Sequence, residues 1–193
     1  MKNKLTSLLL LLFITTGFSQ SRTELMTATK KLYQANYNMA FDEIEALSYP
    51  KIVETIGKET MLQKLDLRHQ NEEFRLRLQL EIVPFQFGPI KKIEDKSFCV
   101  VTYRNPMRYF FENKLTPELA IEKTAWLKEI NQTKDVVFEP KRNSFNVKKI
   151  STFVAVMDET TYNEWKFFNL DDASQKEIFD VTFNEIIKKE LGL

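Results

Sequence analysis

His69 has the widest range of chemistry in this sequence, because an imidazole with a pKa near neutrality can give or take a proton. It is the only histidine among 193 residues. Three carboxylates lie near it in "LDLRHQNEEF", namely Asp66, Glu72 and Glu73. His69 and Asp66 are therefore candidate acid–base residues, although a cluster of this kind between a helix and a strand is more often a solvated turn.

A metal site has few ligands to draw on, because a chain with one histidine and one cysteine would have to bind a metal through carboxylates alone. Cys99 lies in the apolar run "SFCVVTY", where a buried, inert thiol is expected rather than a nucleophile. The chain contains no GxGxxG, P-loop or GxSxG pattern. We expect neither a metal nor a cofactor.

Aromatic residues are the second group with functional potential, since the chain has 16 Phe, 6 Tyr and 2 Trp. A tyrosine on an apolar face buries its ring and keeps its hydroxyl at the edge of a core or cavity. Tyr103 is therefore a third catalytic candidate, beside His69 and Asp66. The predicted ligand-binding residues are Tyr33, Tyr37, Tyr103, Trp126 and Trp165.

The first twenty residues, "MKNKLTSLLLLLFITTGFSQ", have the order of a secretory signal peptide. Lys2 and Lys4 precede an apolar run, residues 8–14, that is shorter than the roughly 20 residues a membrane-spanning helix needs. Gly17 and Ser19 are small residues two positions apart. We predict cleavage after Ser19, and hence a secreted or periplasmic protein with no stable membrane anchor.

The mature chain, residues 20–193, is expected to be a single domain. Loss of Lys2 and Lys4 leaves 26 basic and 27 acidic residues from the 28 and 27 of the whole chain. This balance gives no general electrostatic reason to bind nucleic acid. The basic pairs at residues 91–92 and 148–149 therefore favour a solvated surface. "NQT", which begins at Asn131, would be a glycosylation site in a eukaryotic host.

The first half of the mature chain has helical periodicity. Apolar residues recur at offsets of three and four over residues 26–47, which predicts one kinked helix or two in series. Ser48 before Pro50 is a typical helix start, and Gly57 a typical helix stop. A further helix is predicted over residues 58–67.

The middle of the chain is predicted to form strands. "FRLRLQLEIVPF" alternates apolar and polar residues from Phe74 to Ile82, as in a strand with one buried face. "FCVVTYRNPMRYFF" predicts a second strand, in which Pro106 indicates a bulge, an edge or an end. "SFNVKKISTFVAVM" and "YNEWKFFNL" predict two or three more strands, joined through "DETT".

Two further helices are predicted in the second half. One begins at "TPELAIEKTAWLKEI", with Thr116 as its cap and an apolar stripe of Leu119, Trp126 and Ile130. The other begins at Ser174 and continues to Gly192. Its predicted inward-facing residues are Phe179, Phe183, Ile186 and Ile187.

This order predicts an α+β fold with N-terminal helices packed in a curved antiparallel sheet of about four to six strands, an inserted helix and a C-terminal helix. "YNMAFDEIEALSYPKIVETIGKETMLQKL", followed by strands that end in "NEWKFFNL", resembles the nuclear transport factor 2-like superfamily. That resemblance implies a cone-shaped pocket between the helices and the sheet. The inserted and C-terminal helices depart from the family pattern.

Three functions follow as hypotheses. The first is a secreted, noncatalytic pocket or scaffold domain that binds a small apolar ligand or a protein partner. The second is an enzyme like the ketosteroid isomerases and polyketide cyclases of the resembled superfamily, using acid–base residues in the pocket. The third is a homodimer through the sheet, as the resemblance implies.

Overall fold

Two long strands, β4 and β6, organise the fold that the computed structural model shows for residues 21–193. The predicted α+β class is confirmed, with seven helices and one antiparallel sheet of seven strands. The predicted signal peptide lies outside the described residues. The helices are α1 (residues 21–38), α2 (Phe41–Leu47), α3 (Pro50–Ile56), α4 (Lys58–His69), α5 (Pro117–Ile130), α6 (Ala173–Thr182) and α7 (Glu185–Leu191).

The sheet has the order β1-β4-β6-β5 along its main path. The short strands β2 and β3 pair with β4 beyond the end of β1, and β7 pairs with β6. Three of the short strands, β2, β3 and β5, were not expected from the sequence. The strands are β1 (Phe74–Leu78), β2 (Phe85–Phe87), β3 (Lys91–Ile93), β4 (Lys96–Phe111), β5 (Val136–Glu139), β6 (Ser144–Met157) and β7 (Lys166–Asn169).

Pro106 lies inside the central strand β4, where it pairs with Lys148. Its carbonyl accepts a hydrogen bond from the Gln79 N–H at 2.9 Å, so the backbone of Pro106 faces the β1 side of β4. Since β1 ends at Leu78 and β2 begins at Phe85, no paired strand continues there to use an N–H from residue 106. The predicted bulge, edge or end is therefore wrong, and the proline interrupts no bond to β6.

The inner face of the sheet is covered along its length by two groups of helices. At one end, α1, α2 and α4 contribute to an apolar cluster that contains Leu32, Leu65 and Phe153. At the other end, α5 covers a second cluster that contains Leu127 and Phe145. The inner face of the two long strands therefore carries two apolar cores, and the first of them also continues onto the outer face.

Within residues 21–193, helices cover the outer face of the sheet only at one end. There, α6 and α7 bury Phe98 and Phe168 beneath Phe179 and Phe183. Further along the same face, Ile150 remains 65% exposed. Within residues 21–193, no helix is long and apolar enough to cross a bilayer.

The N-terminal helices start and stop near the predicted residues, except that Ser48 is not a helix cap. Helices α1 and α2 are separate, and Met39 between them has a positive φ of 57°. Gly57 separates α3 from α4 with a φ of 83°, a conformation that glycine adopts without strain. Ser48 does not cap α3, because its hydroxyl donates instead to the Ile44 carbonyl at 2.8 Å.

Two predicted apolar patterns extend too far or lie on the wrong side. Strand β1 stops at Leu78, and Ile82 is exposed rather than buried. Thr116 does cap α5, but the helix buries Ala120 and Leu127. Leu119 and Ile130 of the predicted stripe are exposed, and Trp126 is half-buried.

The predicted C-terminal helix is two helices. Phe183 has an extended backbone that ends α6, and Asn184 then caps α7 by accepting from the Ile187 N–H at 3.0 Å. The cap of α6 is Asp172 and not Ser174. Of the four predicted inward-facing residues, Phe179, Phe183 and Ile187 are buried, whereas Ile186 is exposed.

Candidate functional site

His69 lies on the last turn of α4 and is buried. The solvated turn expected there is therefore wrong for His69, whereas Asp66, Glu72 and Glu73 are exposed as expected. Its Nδ1 lies 2.8 Å from the Leu65 carbonyl, and its ring packs 5.3 Å from the ring of Phe41. Burial lowers the pKa of His69, and the positive charges of Arg68 and Arg77 lower it further. The imidazole is therefore neutral at pH 7, with one ring nitrogen engaged by its own helix.

The other two catalytic candidates lie in different surroundings. Asp66 is exposed, whereas Tyr103 is buried beneath the helices. Burial and the charge of Asp171 both raise the pKa of Tyr103, so its phenol stays protonated. None of His69, Asp66 and Tyr103 lines any groove or cavity described below. Their catalytic role stays a prediction.

Two of the predicted ligand-binding tyrosines meet. Tyr33 and Tyr103 pack edge to face with ring centroids 5.5 Å apart, and Phe85 packs against both. The Tyr33 hydroxyl donates to the Leu80 carbonyl at 2.6 Å, and burial raises its pKa to about 12. Tyr37 is half-buried one turn further along α1. The two buried tyrosines thus form part of a packed core.

The two predicted tryptophans lie in separate places. Trp126 packs against Phe74 in the second core, at 5.8 Å between ring centroids. Trp165 is buried in the first core, and its indole N–H donates to the Ser21 carbonyl at 3.1 Å. Trp165 also borders a surface groove beside α1. The five predicted ligand-binding residues therefore do not share one pocket.

The space between the N-terminal helices and the sheet is filled by side chains. An internal cavity remains there between Leu32, Ile44, Leu65 and Phe153, with a volume of about 10 Å³. A space of this size holds about one water molecule. It is too small for an apolar ligand, so any such ligand must bind elsewhere on the protein.

A belt of buried polar side chains crosses the inner face between the two apolar cores. Asn105 and Lys149 face each other across β4 and β6, and the Asn105 amide donates to Ser151 at 3.1 Å. Lys149 forms an ion pair with Asp171 at 2.9 Å, and both side chains are nearly buried, at 11% and 12% exposure. Among the described residues, no group donates to the buried Oδ1 of Asn105.

Sequence reasoning missed this belt. Residues 148–149 were interpreted as a solvated basic pair, yet only Lys148 is exposed. The sequence contained part of the signal. In each strand, every second residue faces the core and most of these residues are apolar, but Asn105 and Lys149 are polar. That these two residues are neighbours follows only from the strand register, which places Asn105 opposite Lys149.

Two positions with possible covalent chemistry, Cys99 and Asn131, are buried in the fold. Burial raises the pKa of Cys99 to about 11, which confirms the expected inert thiol. Asn131 is buried, its amide nitrogen donates to the Leu127 carbonyl at 3.0 Å, and its oxygen accepts from Tyr109 at 3.2 Å. The "NQT" site is therefore closed to glycosylation in the folded protein.

An open site with a mainly apolar lining lies between the start of α5 and strand β5. We call it the α5–β5 groove; its volume is about 450 Å³, within the range of small-molecule and peptide pockets. Six of its nine lining residues are apolar, and three carry polar side chains. The lining residues are Lys114, Leu115, Pro117, Ala120, Ile121, Thr124, Phe138, Pro140 and Asn143.

The walls of the α5–β5 groove are fixed before any ligand arrives. Pro117 starts α5 next to its cap, and Phe138 is held by stacking on Phe145 at 4.7 Å. Asn143 closes the base, because its Nδ2 donates to the Phe111 and Asn113 carbonyls and its Oδ1 accepts from the Leu115 N–H. These bonds of 2.8 to 2.9 Å tie the two loops together.

One apolar side chain in the groove stands out by its exposure. Ile121 is 74% exposed, although its neighbour Ala120 is buried under the same helix. An isolated isoleucine on the solvent side of a helix has no packing role there. The sequence signal for it was weak, because "PELAIEK" also contains Leu119, which is 42% exposed.

The other large grooves differ in charge. The groove beside Trp165 and the one beside Tyr162 have volumes of about 490 and 430 Å³, and each is lined by lysine and glutamate side chains. A fourth, between α3 and α6, has a volume of about 400 Å³ and contains Lys51, Lys64 and Glu177. In the α5–β5 groove, Lys114 is the only charged residue among the described residues that line it.

Comparison with known proteins gives no relative to transfer a function from. No protein-family model, curated protein or solved structure matches this chain. The resemblance to the nuclear transport factor 2-like superfamily and dimerisation through the sheet therefore stay predictions. Within residues 21–193, no group of three or more His, Cys, Asp or Glu side chains is placed to bind a metal.

Proposed function

We propose that this protein is an exported, noncatalytic binding domain that receives an apolar group of its ligand in the α5–β5 groove. The lining of this groove carries the proposal. It combines a preformed apolar wall with Lys114, Thr124 and Asn143 as its polar side chains. Asn143 is already used in tying the base together, and among residues 21–193 no carboxylate, histidine or cysteine lines the groove.

Export is the second part of the proposal, and the signal-peptide pattern predicted for residues 1–19 supports it. A protein outside the cytoplasm without disulfides must derive its stability from packing, and this chain has one cysteine. The two apolar cores supply that packing. A rigid scaffold with an open apolar groove is suited to binding a ligand at its surface.

Replacing Ile121 with glutamate tests the groove. We expect Ile121→Glu to weaken the binding of a fluorescent probe with an apolar ring system, anilinonaphthalene sulfonate, by about tenfold or more, since the substitution removes apolar contact area and its carboxylate repels the sulfonate of the probe. Probe fluorescence in a titration of the native protein measures this. The matched control is Ile150→Glu, since Ile150 is 65% exposed against 74% for Ile121 and lies on the outer face of the sheet.

Both variants change surface residues and should keep the native melting temperature. Retention of probe binding by Ile150→Glu together with its loss in Ile121→Glu would support the groove. Equal binding by the native protein and Ile121→Glu would remove the basis of the proposed function.

A further inference from the structure

Strand β5 forms one wall of the α5–β5 groove and is also an open edge of the sheet. The Lys148 N–H donates to the Asp135 carbonyl at 3.0 Å. This bond shows which residues of β5 direct their backbone groups toward β6 and which direct them away from it. Residues 137 and 139 then direct their backbone groups to β6, while the N–H and C=O of Phe138 face away from the sheet. An edge of this kind is a template for another extended chain.

Side chains along β5 alternate in a way that suits such a chain. Phe138 lines the groove, whereas Val137 lies on the opposite face of the sheet and is 56% exposed. A strand added at this edge would direct alternate side chains to these two faces. One side chain would enter the groove against Ile121 and Phe138, and its neighbours would lie beside Val137.

The rim of the groove is basic. Lys114 lines it and Lys141 is exposed in the adjoining turn, and neither forms an ion pair with another described residue. The nearest β5 acid, Glu139, is already paired with Arg108 at 3.3 Å and Arg142 at 3.9 Å. A ligand with acidic groups on either side of an apolar one therefore complements this surface.

The acidic residue in the first turn of α5, Glu118, opposes this charge in part. The Glu118 carboxyl has a lowered pKa because it accepts hydrogen bonds from its own backbone N–H and from the Thr116 hydroxyl. It is thus turned back toward the start of the helix. The N-terminal end of α5 also carries the positive end of the helix dipole.

We propose, building on the function proposed above, that the natural occupant of the α5–β5 groove is an extended segment of a partner protein. This segment has a large apolar residue flanked by acidic residues and pairs with the β5 edge through Phe138. The backbone pairing provides affinity, and the groove selects the apolar side chain. The basic rim selects the acidic flanks.

A labelled synthetic peptide tests this proposal. Fluorescence anisotropy is measured for Ac-Glu-Asp-Val-Leu-Val-Asp-Glu-NH2 with the native protein, with Ile121→Glu and with the Ile150→Glu control. Two further peptides are compared: one with N-methylated backbone amides at the central leucine and its neighbours, and one with lysines in place of all acids.

We expect binding to the native protein and to Ile150→Glu, and a loss of about tenfold or more with Ile121→Glu or with the N-methylated peptide. The lysine peptide should bind more weakly than the acidic one, with a difference that shrinks in high salt.

Each contrary outcome has a separate meaning. Probe binding without peptide binding would overturn the peptide inference and leave the proposed function intact, whereas loss of both would overturn both. Equal binding of the N-methylated peptide would exclude pairing at the β5 edge. A concentration-dependent dimer in sedimentation that Ile121→Glu disperses would assign the groove to a second copy of this chain instead.

Discussion

Replacement of Asp171 by alanine is expected to lower the free energy of unfolding by about 3–5 kcal/mol, because it leaves the Lys149 ammonium buried without its counter-charge. The pair is short, at 2.9 Å, and lies in the belt between the two apolar cores. Water cannot easily replace the lost carboxylate there. Urea denaturation, with the midpoint and slope fitted together, measures the effect.

The double variant Lys149→Met with Asp171→Leu separates pairing from packing. Removing both charges should restore most of the lost stability, since two apolar side chains in a packed interior need no counter-charge. The control is Glu54→Ala, which breaks an exposed pair with Lys51 and should change stability by less than about 0.5 kcal/mol. A change in Asp171→Ala as small as in the control would show that the belt is solvated.

Replacement of Phe168 by alanine is expected to cost about 3–5 kcal/mol, as for other large-to-small changes at fully buried aromatic positions. Phe168 is fully buried on β7 and stacks on Tyr49 at 4.9 Å. It also packs edge to face on Phe179 and Phe183, at 5.3 and 5.8 Å. One side chain therefore joins the sheet to α3, α6 and the segment that leads into α7.

The same substitution should loosen the C-terminal helices before the whole domain unfolds. Hydrogen exchange is expected to rise first in α6 and α7, because their largest contact with the sheet is lost. Val181→Ala is a matched control on α6, since Val181 is 84% exposed and should contribute little. Uniform exchange across the domain in Phe168→Ala would contradict this local role.

The fold class could be predicted because the strongest patterns lie in the longest elements. The apolar runs around Cys99 and Phe153 became β4 and β6, and the Gly57 stop appeared as expected. The short strands β2, β3 and β5 have three or four residues each and therefore show almost no periodicity. These short strands form by pairing with β4 or β6, and a local sequence pattern does not show such pairing.

Errors in the predicted apolar faces have a common cause. The stripe assigned to Leu119, Trp126 and Ile130 was chosen by hydrophobicity, whereas the structure buries the neighbouring side with Ala120 and Leu127. Small residues such as Ala120 mark a close helix–sheet contact, yet they weigh little in a hydrophobic pattern. Which side of a helix faces the sheet is decided by tertiary packing.

The candidate site was the least predictable part of the molecule. A chemistry-based search favoured His69 and the tyrosines, because these residue types often act in pockets. The structure places His69 and Tyr103 within packed cores instead. The α5–β5 groove is built from ordinary residues such as Ile121 and Phe138, which are distant in sequence. Only the placement of α5 beside an edge strand brings them together.

The most direct test of the binding-groove account is a methyl NMR titration of the native protein with the acidic peptide. Labelled Ile and Leu methyl groups report both sites at once. The expected result is that the largest shifts occur at Leu115 and Ile121, with Leu32 and Ile44 beside the internal cavity unchanged. Largest shifts at Leu32 and Ile44, or no shifts at saturating peptide, would contradict the account.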